Sequence, residues 1–306
     1  MEMLAVNLRF PEGPVMMVDG SIVVVEMAAG KITRVSGDGT TSTLAVTGGG
    51  PNGLAFGPDG ALYCCNNGGS EYRPGHFLGV GPAKDYTGGS IQRIDVRNGE
   101  VRTLYDRCGS ERLSAPNDIV FDRSGGFYFT DTGKRHHRHR VLGTLYYALP
   151  DGSRIVEVAF PLISPNGIGL SPDERTIYVA ETDTARLWAF DVVEPGIVAK
   201  RPFPSPHGGR FIAGLPTFCR FDSLALEASG NICVGTLVNS EITVFAPDGQ
   251  IVRRVAVPDL YPTNLCFGGP GLKTAYLTLS ETGRLCRLPW AEPGLRLNFD
   301  PTVCKA

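Results

Sequence analysis

Pro51-Asn52-Gly53-Leu54-Ala55-Phe56 runs into the turn Gly57-Pro58-Asp59-Gly60 and out again as Ala61-Leu62-Tyr63-Cys64-Cys65. Two short apolar runs around Pro-Asp-Gly read as a β-hairpin, because Pro presets φ and Gly accepts a positive φ. The same phrase recurs along the chain. Pro116-Asn117-Asp118-Ile119-Val120-Phe121 turns through Asp122-Arg123-Ser124-Gly125-Gly126 into Phe127-Tyr128-Phe129-Thr130. Pro165-Asn166-Gly167-Ile168-Gly169-Leu170 turns through Ser171-Pro172-Asp173-Glu174-Arg175 into Thr176-Ile177-Tyr178-Val179-Ala180. Pro11-Glu12-Gly13-Pro14-Val15, Phe221-Asp222-Ser223-Leu224-Ala225-Leu226 and Pro262-Thr263-Asn264-Leu265-Cys266-Phe267 complete six copies, at irregular spacings of roughly 40 to 65 residues. Self-similarity of this kind is the mark of a radial repeat.

Each copy extends outward in the same way. A third, alternating run follows, as in Lys31–Val35, Ser90–Ile94, Gly143–Tyr147, Arg186–Phe190 and Glu241–Phe245. A fourth is plain in Glu100–Leu104 and Gln250–Val255. Four antiparallel strands per repeat, six repeats and almost no helical periodicity predict an all-β, six-bladed β-propeller spanning residues 1–306 as one domain. The last repeat has a weak fourth strand, and Met3 to Phe10 can supply it, joining the termini and removing an open edge. Three segments interrupt the blades: Asn66 to Gly89, Gly133 to Leu142 and Glu194 to Arg220. Long loops in a compact fold are usually functional or mobile. The first two follow second strands, which should place them on one face of the ring.

Composition narrows the class. The 306 residues are 42% hydrophobic and 20% charged, ample for a large core in a soluble protein. A formal net charge of −2 gives no reason to expect nucleic acid or an anionic membrane. No apolar stretch is long enough to cross a bilayer. Met1 to Phe10 carries Glu2 and Arg9 without a continuous apolar core, so no signal peptide is expected. The eight cysteines include no Cys-x-x-Cys pair, which disfavours structural zinc. Several lie in strand-like runs, where a reduced thiol behaves as a small hydrophobe in a cytoplasmic protein.

The second position of each repeat carries the chemistry. If the copies are related by rotation, Glu12, Asn52, Asn117, Asn166, Asp222 and Thr263 point at one axis. Any one Asn or Asp there could serve its own turn. A Glu, an Asn and an Asp at equivalent points of three repeats instead suggest a held divalent cation. Asn52 and Thr263 are expected to play supporting or structural parts.

The Glu-Gly-Pro-Val opening, the Pro-Asn-Gly and Pro-Asn-Asp segments and the later Phe-Asp-Ser-Leu-Ala resemble the senescence marker protein / gluconolactonase / luciferin-regenerating enzyme family over nearly the whole chain. The resemblance implies a six-bladed propeller with one divalent cation at its axis, and hydrolysis of lactones. Some relatives cleave organophosphates such as diisopropyl fluorophosphate. By the same resemblance the metal ligands fall on Glu12, Asn166 and Asp222, with Asn117 near both metal and substrate. Two departures stand out. Sugar-lactone members often carry Arg where this chain has Ala115, and many have Gly where it has Ser223. A gluconate-type substrate is therefore not expected.

All-oxygen coordination suits calcium first, with magnesium, manganese, zinc or iron as alternatives. A bound cation can polarise a carbonyl and acidify coordinated water. Asp222 is the candidate general base beside it, and Asn117 a second catalytic candidate. Asn117, Asp118, Asn52, Tyr72, His76 and Arg138 are the expected substrate-binding residues. His136, His137 and His139 sit among Lys134, Arg135, Arg138 and Arg140, a setting that repels cations and favours anions. The loop reads as a solvated basic segment or as a lid for an acidic substrate. His76 and His207 are lone loop histidines. The expected function is a metal-dependent hydrolase opening a small-molecule lactone other than a simple sugar lactone. The alternatives are a phosphotriesterase-like hydrolase on the same metal and a non-catalytic, calcium-plugged binding propeller.

Overall fold

The hairpin phrases become the inner halves of six blades. A computed structural model describes residues 1–73 and 78–302. Blade one is Pro11–Met16, Ile22–Glu26, Lys31–Val35 and Thr41–Val46, each strand antiparallel to the next. Blades two, three and five repeat the plan from Pro51–Phe56, Pro116–Phe121 and Arg220–Leu226. First strands of adjacent blades pack on one another around the ring, with Pro165–Leu170 of blade four between those of blades three and five, and that of blade six, Pro262–Gly268, packs back on Pro11–Met16. Glu2–Ala5 pairs with Arg284–Pro289 as the fourth strand of blade six, so the N-terminus closes the ring as the sequence predicts. No α-helix occurs among the described residues, and no helix is long and apolar enough to cross a membrane.

Blade four departs from the four-strand plan. Its third strand, Arg186–Glu194, runs to nine residues. Ile197–Ala199 covers one end of it and Arg210–Gly214 the other, while the segment between them loops out. The Pro-rich insertion thus supplies a fourth strand in two pieces. Proline has no ladder donor to give to a continuous one.

Burial follows the two-residue period within each blade and joins neighbouring blades. Val120, Leu145, Ile168, Val179 and Phe190 form one apolar layer between blades three and four. Each such side chain contributes roughly 1.5–3 kcal/mol by leaving water. Among the described residues seven cysteines are free thiols, and five of them, Cys64, Cys65, Cys219, Cys233 and Cys286, are buried.

The inner strands share a register shift that positions the site. Pro116 pairs with Asp131 but Ile119 pairs with Phe129, so Asn117 and Asp118 together oppose Thr130. The same two-against-one bulge takes in Asn52 and Gly53, Asn166 and Gly167, and Asp222 and Ser223. In blade one it falls after Glu12. A bulge re-aims side chains that a regular ladder would send to the flanks. The strands also converge closely here. A Cβ on Gly167 would lie 2.5 Å from Leu224 N, and one on Gly53 would lie 2.6 Å from Asp118 Oδ1. The glycine at the third position of blades one, two and four makes room for the neighbouring blade.

Candidate active site at the propeller axis

Five of the six second-position residues, Glu12, Asn52, Asn117, Asn166 and Asp222, are buried and line one cavity of about 250 Å³ at one end of the axis. Thr263, the sixth, is consumed structurally: its hydroxyl meets Ser280 Oγ at 2.6 Å and Pro11 O at 3.3 Å. Asn166 is held on both sides. Its Nδ2 donates to Thr182 Oγ1 at 3.0 Å and its Oδ1 accepts from Ser223 Oγ at 3.3 Å. Ser223, a departure in the motif, therefore orients a neighbouring amide. Asn52 Nδ2 reaches Met27 Sδ at 3.8 Å. The oxygens Asn52 Oδ1 and Asn117 Oδ1 are buried and find no donor.

The carboxyl groups accept hydrogen bonds but, among the described residues, have no counter-ion. Gly13 N donates to Glu12 Oε2 at 3.1 Å, with Asn264 and Thr263 also bonding Glu12, while Asn166 and the Ser223 backbone bond Asp222. Burial pushes Glu12 up to about 7. Burial, and then the charge of Glu12, hold Asp222 well above the usual carboxylate range. No ion pair to Lys, Arg or His reaches either group among the described residues. Two buried carboxyls and two orphaned amide oxygens on one floor form a hard, all-oxygen donor set. That set fits a divalent cation, with Glu12, Asp222, Asn166 and Asn117 as its holders and Asn52 Oδ1 within the same lining. No group of three His, Cys, Asp or Glu side chains is arranged to hold a metal among the described residues, so the amides are essential to any such site.

The other expected residues divide. Tyr72 lines the cavity, and its buried hydroxyl has no partner. Asp118 lies on the far side of the ring. There it lines a second, largely apolar cavity of about 260 Å³ that the segment from Leu295 to Thr302 helps to enclose. Burial raises its carboxyl to about 7. It underlies the ring and does not face the substrate cavity, which corrects its expected place. Arg138 is exposed in the hairpin bridged by Arg135 and Arg140 and does not line the cavity, whereas those two do. His136 and His139 stack at 4.4 Å in the same hairpin. His207 packs against Trp188 and Phe190 beneath the blade-four insertion, away from the axis. His76 lies outside the described residues.

The two insertions do meet on the ring's open face. Lys134, almost fully buried, donates from Nζ to Asn67 O at 2.9 Å and Gly69 O at 2.6 Å, and lies 4.8 Å above the Tyr86 ring. Burial pushes its ammonium down to about 8, against the pull of Asp131. It pins the first insertion to the second as one wall. Sequence reasoning missed Thr182, Asp183 and Arg220. Arg220 was within reach, since it directly precedes the Phe221-Asp222 repeat. Asp183 had no local signal. It contacts Arg140 and lies 3.6 Å from Arg220. Burial pushes its carboxyl up, but Arg140 and Arg220 prevail and hold it below the usual range.

Comparison with known proteins identifies the family of the chain. The family described as SMP-30/Gluconolactonase/LRE-like region matches residues 10–281. A gluconolactonase of Zymomonas mobilis subsp. mobilis is 25% identical over 92% of this chain and 79% of its own length. A diisopropyl-fluorophosphatase of Loligo vulgaris is 28% identical over 68% of this chain and 65% of its own length. The structure of a gluconolactonase of Xanthomonas campestris superimposes with a TM-score of 0.74 at 23% identity, covering 95% of this chain and 89% of that one.

Proposed function

Since the chain belongs to the SMP-30/gluconolactonase/LRE-like family, we propose that it is a divalent-metal-dependent hydrolase that opens lactone rings above the axial floor. The observation that carries the metal reading is the pair of orphaned amide oxygens beside two buried carboxyls that have no cationic partner among the described residues. Left as they are, the two amide oxygens are costly, since an unsatisfied buried polar atom costs about 1–3 kcal/mol, and the carboxyls are buried without such a counter-ion. When bound, a divalent cation would polarise the lactone carbonyl and acidify a water.

The chain's own residues do the rest. Thr182 and Ser223 fix the Asn166 amide so that its oxygen keeps one free lone pair for the floor. Asn117 orients the substrate ring, and Asp222 takes the proton of the attacking water. Phe10, Met27, Tyr72 and Leu78 give the cavity an apolar side, and Ala115 offers a sugar no donor. A sparsely hydroxylated lactone is the expected substrate. The buried free thiols suit a reducing compartment.

A pH-indicator assay over a lactone panel tests the reading, with chelated protein and with each divalent cation restored. Cation-dependent ring opening is expected. Full activity in chelated protein would overturn the metal's role. Cation binding without hydrolysis of any lactone would leave a binding propeller. The similarity to the Loligo vulgaris diisopropyl-fluorophosphatase favours phosphotriester hydrolysis as a second reading, which a fluorophosphate arm of the same panel decides.

A further inference from the structure

The cavity's charge does not match that of its floor. Lys134, Arg135, Arg140 and Arg220 line it, against Glu12, Asp183 and Asp222. A divalent cation on the floor would raise the positive excess to three charges. Two of the arginines are only partly used. Arg140 contacts Ser164 Oγ and Asp183 through Nη1, while its Nε is buried without an acceptor. Arg220 approaches Asp183 at 3.6 Å, longer than a hydrogen bond, which leaves its planar fork open to a second anion.

The chain fixes where this pair sits. Arg220 is two residues before Asp222 on the strand Arg220–Leu226. Two residues of extended chain span about 7 Å. Asp183 follows Thr182, whose hydroxyl accepts from the Asn166 amide. The guanidinium groups therefore stand beside the floor, within reach of a small lactone whose far carbon carries an acid.

We propose that Arg140 and Arg220, with Asp183 between them, form a carboxylate-reading subsite, and that the substrate class is lactones bearing a free carboxylate. The inference rests on the lactonase reading for the reaction and on the arginine geometry for the acid. Asp183 is the resident counter-ion. The substrate carboxylate occupies the open Arg220 fork and competes with Asp183 for both arginines. Charge attraction of this kind acts on binding more than on the chemical step.

The test compares 5-oxotetrahydrofuran-2-carboxylate with its methyl ester in calcium-loaded wild type, Arg220→Gln, Arg220→Lys and Asp183→Asn. Arg220→Gln should raise KM for the acid by about tenfold or more, on the order of 1.4 kcal/mol, with kcat little changed. The ester should stay within about twofold. Arg220→Lys should recover part of the loss, since Lys keeps the charge without the fork. Asp183→Asn should lower KM for the acid by about threefold, because the competing charge is gone. A purely structural role would not produce that opposite sign. Calorimetry with tetrahydrofuran-2-carboxylate, which has no ester to open, reads the subsite without turnover. If Arg220→Gln abolishes that binding while neither lactone is hydrolysed, the subsite stands and the lactonase reading falls. If both lactones are opened but acid and ester respond alike to every variant, the subsite is refuted and the lactonase reading stands.

Discussion

Stripping divalent cations from this protein should make it less stable as pH rises, opposite to ordinary acid lability. Glu12 rises from its usual 4.5 to about 7, chiefly because burial desolvates the carboxylate. In the unfolded chain it titrates near 4.5, so between 4.5 and 7 the folded state binds the extra proton. Its contribution is fully present below 4.5 and is lost as pH rises through 7. The displacement is worth on the order of 3 kcal/mol at pH 8. At about 2 °C per kcal/mol for a chain of this length, Tm should fall by about 6 °C from this group. Asp118, also raised to about 7 by burial, and Asp222, held well above the usual carboxylate range by burial and the charge of Glu12, act in the same direction. Carboxyls such as Asp19 and Asp95, held down to about 2 by hydrogen bonds from Ser21 and Arg97, change stability only below about 4 and are silent over the range measured, whereas Asp118 and Asp222 titrate alongside Glu12. The comparison must therefore be made against Glu12→Gln, which keeps the shape and cannot ionise. Melting curves of both chelated proteins from pH 4.5 to 8.5 should diverge, with the variant ahead by about 6 °C at the alkaline end. Restored calcium should rescue the wild type and leave the variant nearly unmoved. Parallel melting profiles would refute the claim that this floor carries buried charge in need of a cation.

Other expectations follow from the same geometry. Asp222→Ala and Glu12→Gln should lose bound metal by elemental analysis, and undiminished content in both would sink the ligand assignment. Asn117→Ala should cut kcat/KM by about tenfold more than it cuts metal occupancy, because its orphaned oxygen is free for substrate as well as cation. Gly167→Ala would press a Cβ against Leu224 N and Asp222 O, so calorimetry should show destabilisation of roughly 1–3 kcal/mol. A gain in stability there would mean that the inner strands are looser than described.

Much of this protein was legible in the sequence because its local signals are chemical. Pro-Asp-Gly turns, alternating runs and a polar residue at a fixed place in six phrases determine hairpins, blades and ring whatever the packing. The N-terminal closing strand was legible because the last repeat lacks an edge partner. What the sequence could not decide depends on contacts distant along the chain. The bulge turns Asn117 and Asp118 out of ladder register, and the pair then divides, one toward the substrate cavity and the other toward the opposite cavity. Arg138 and Arg140 are indistinguishable as letters in a basic run. Only the hairpin leaves one in solvent and brings the other to Asp183, a residue 43 positions further along the chain. Arg220 gains its role only when blades three, four and five converge. Side chains within a repeat obey periodicity, while those between repeats obey the closure of the ring, and the cavity is lined by both kinds.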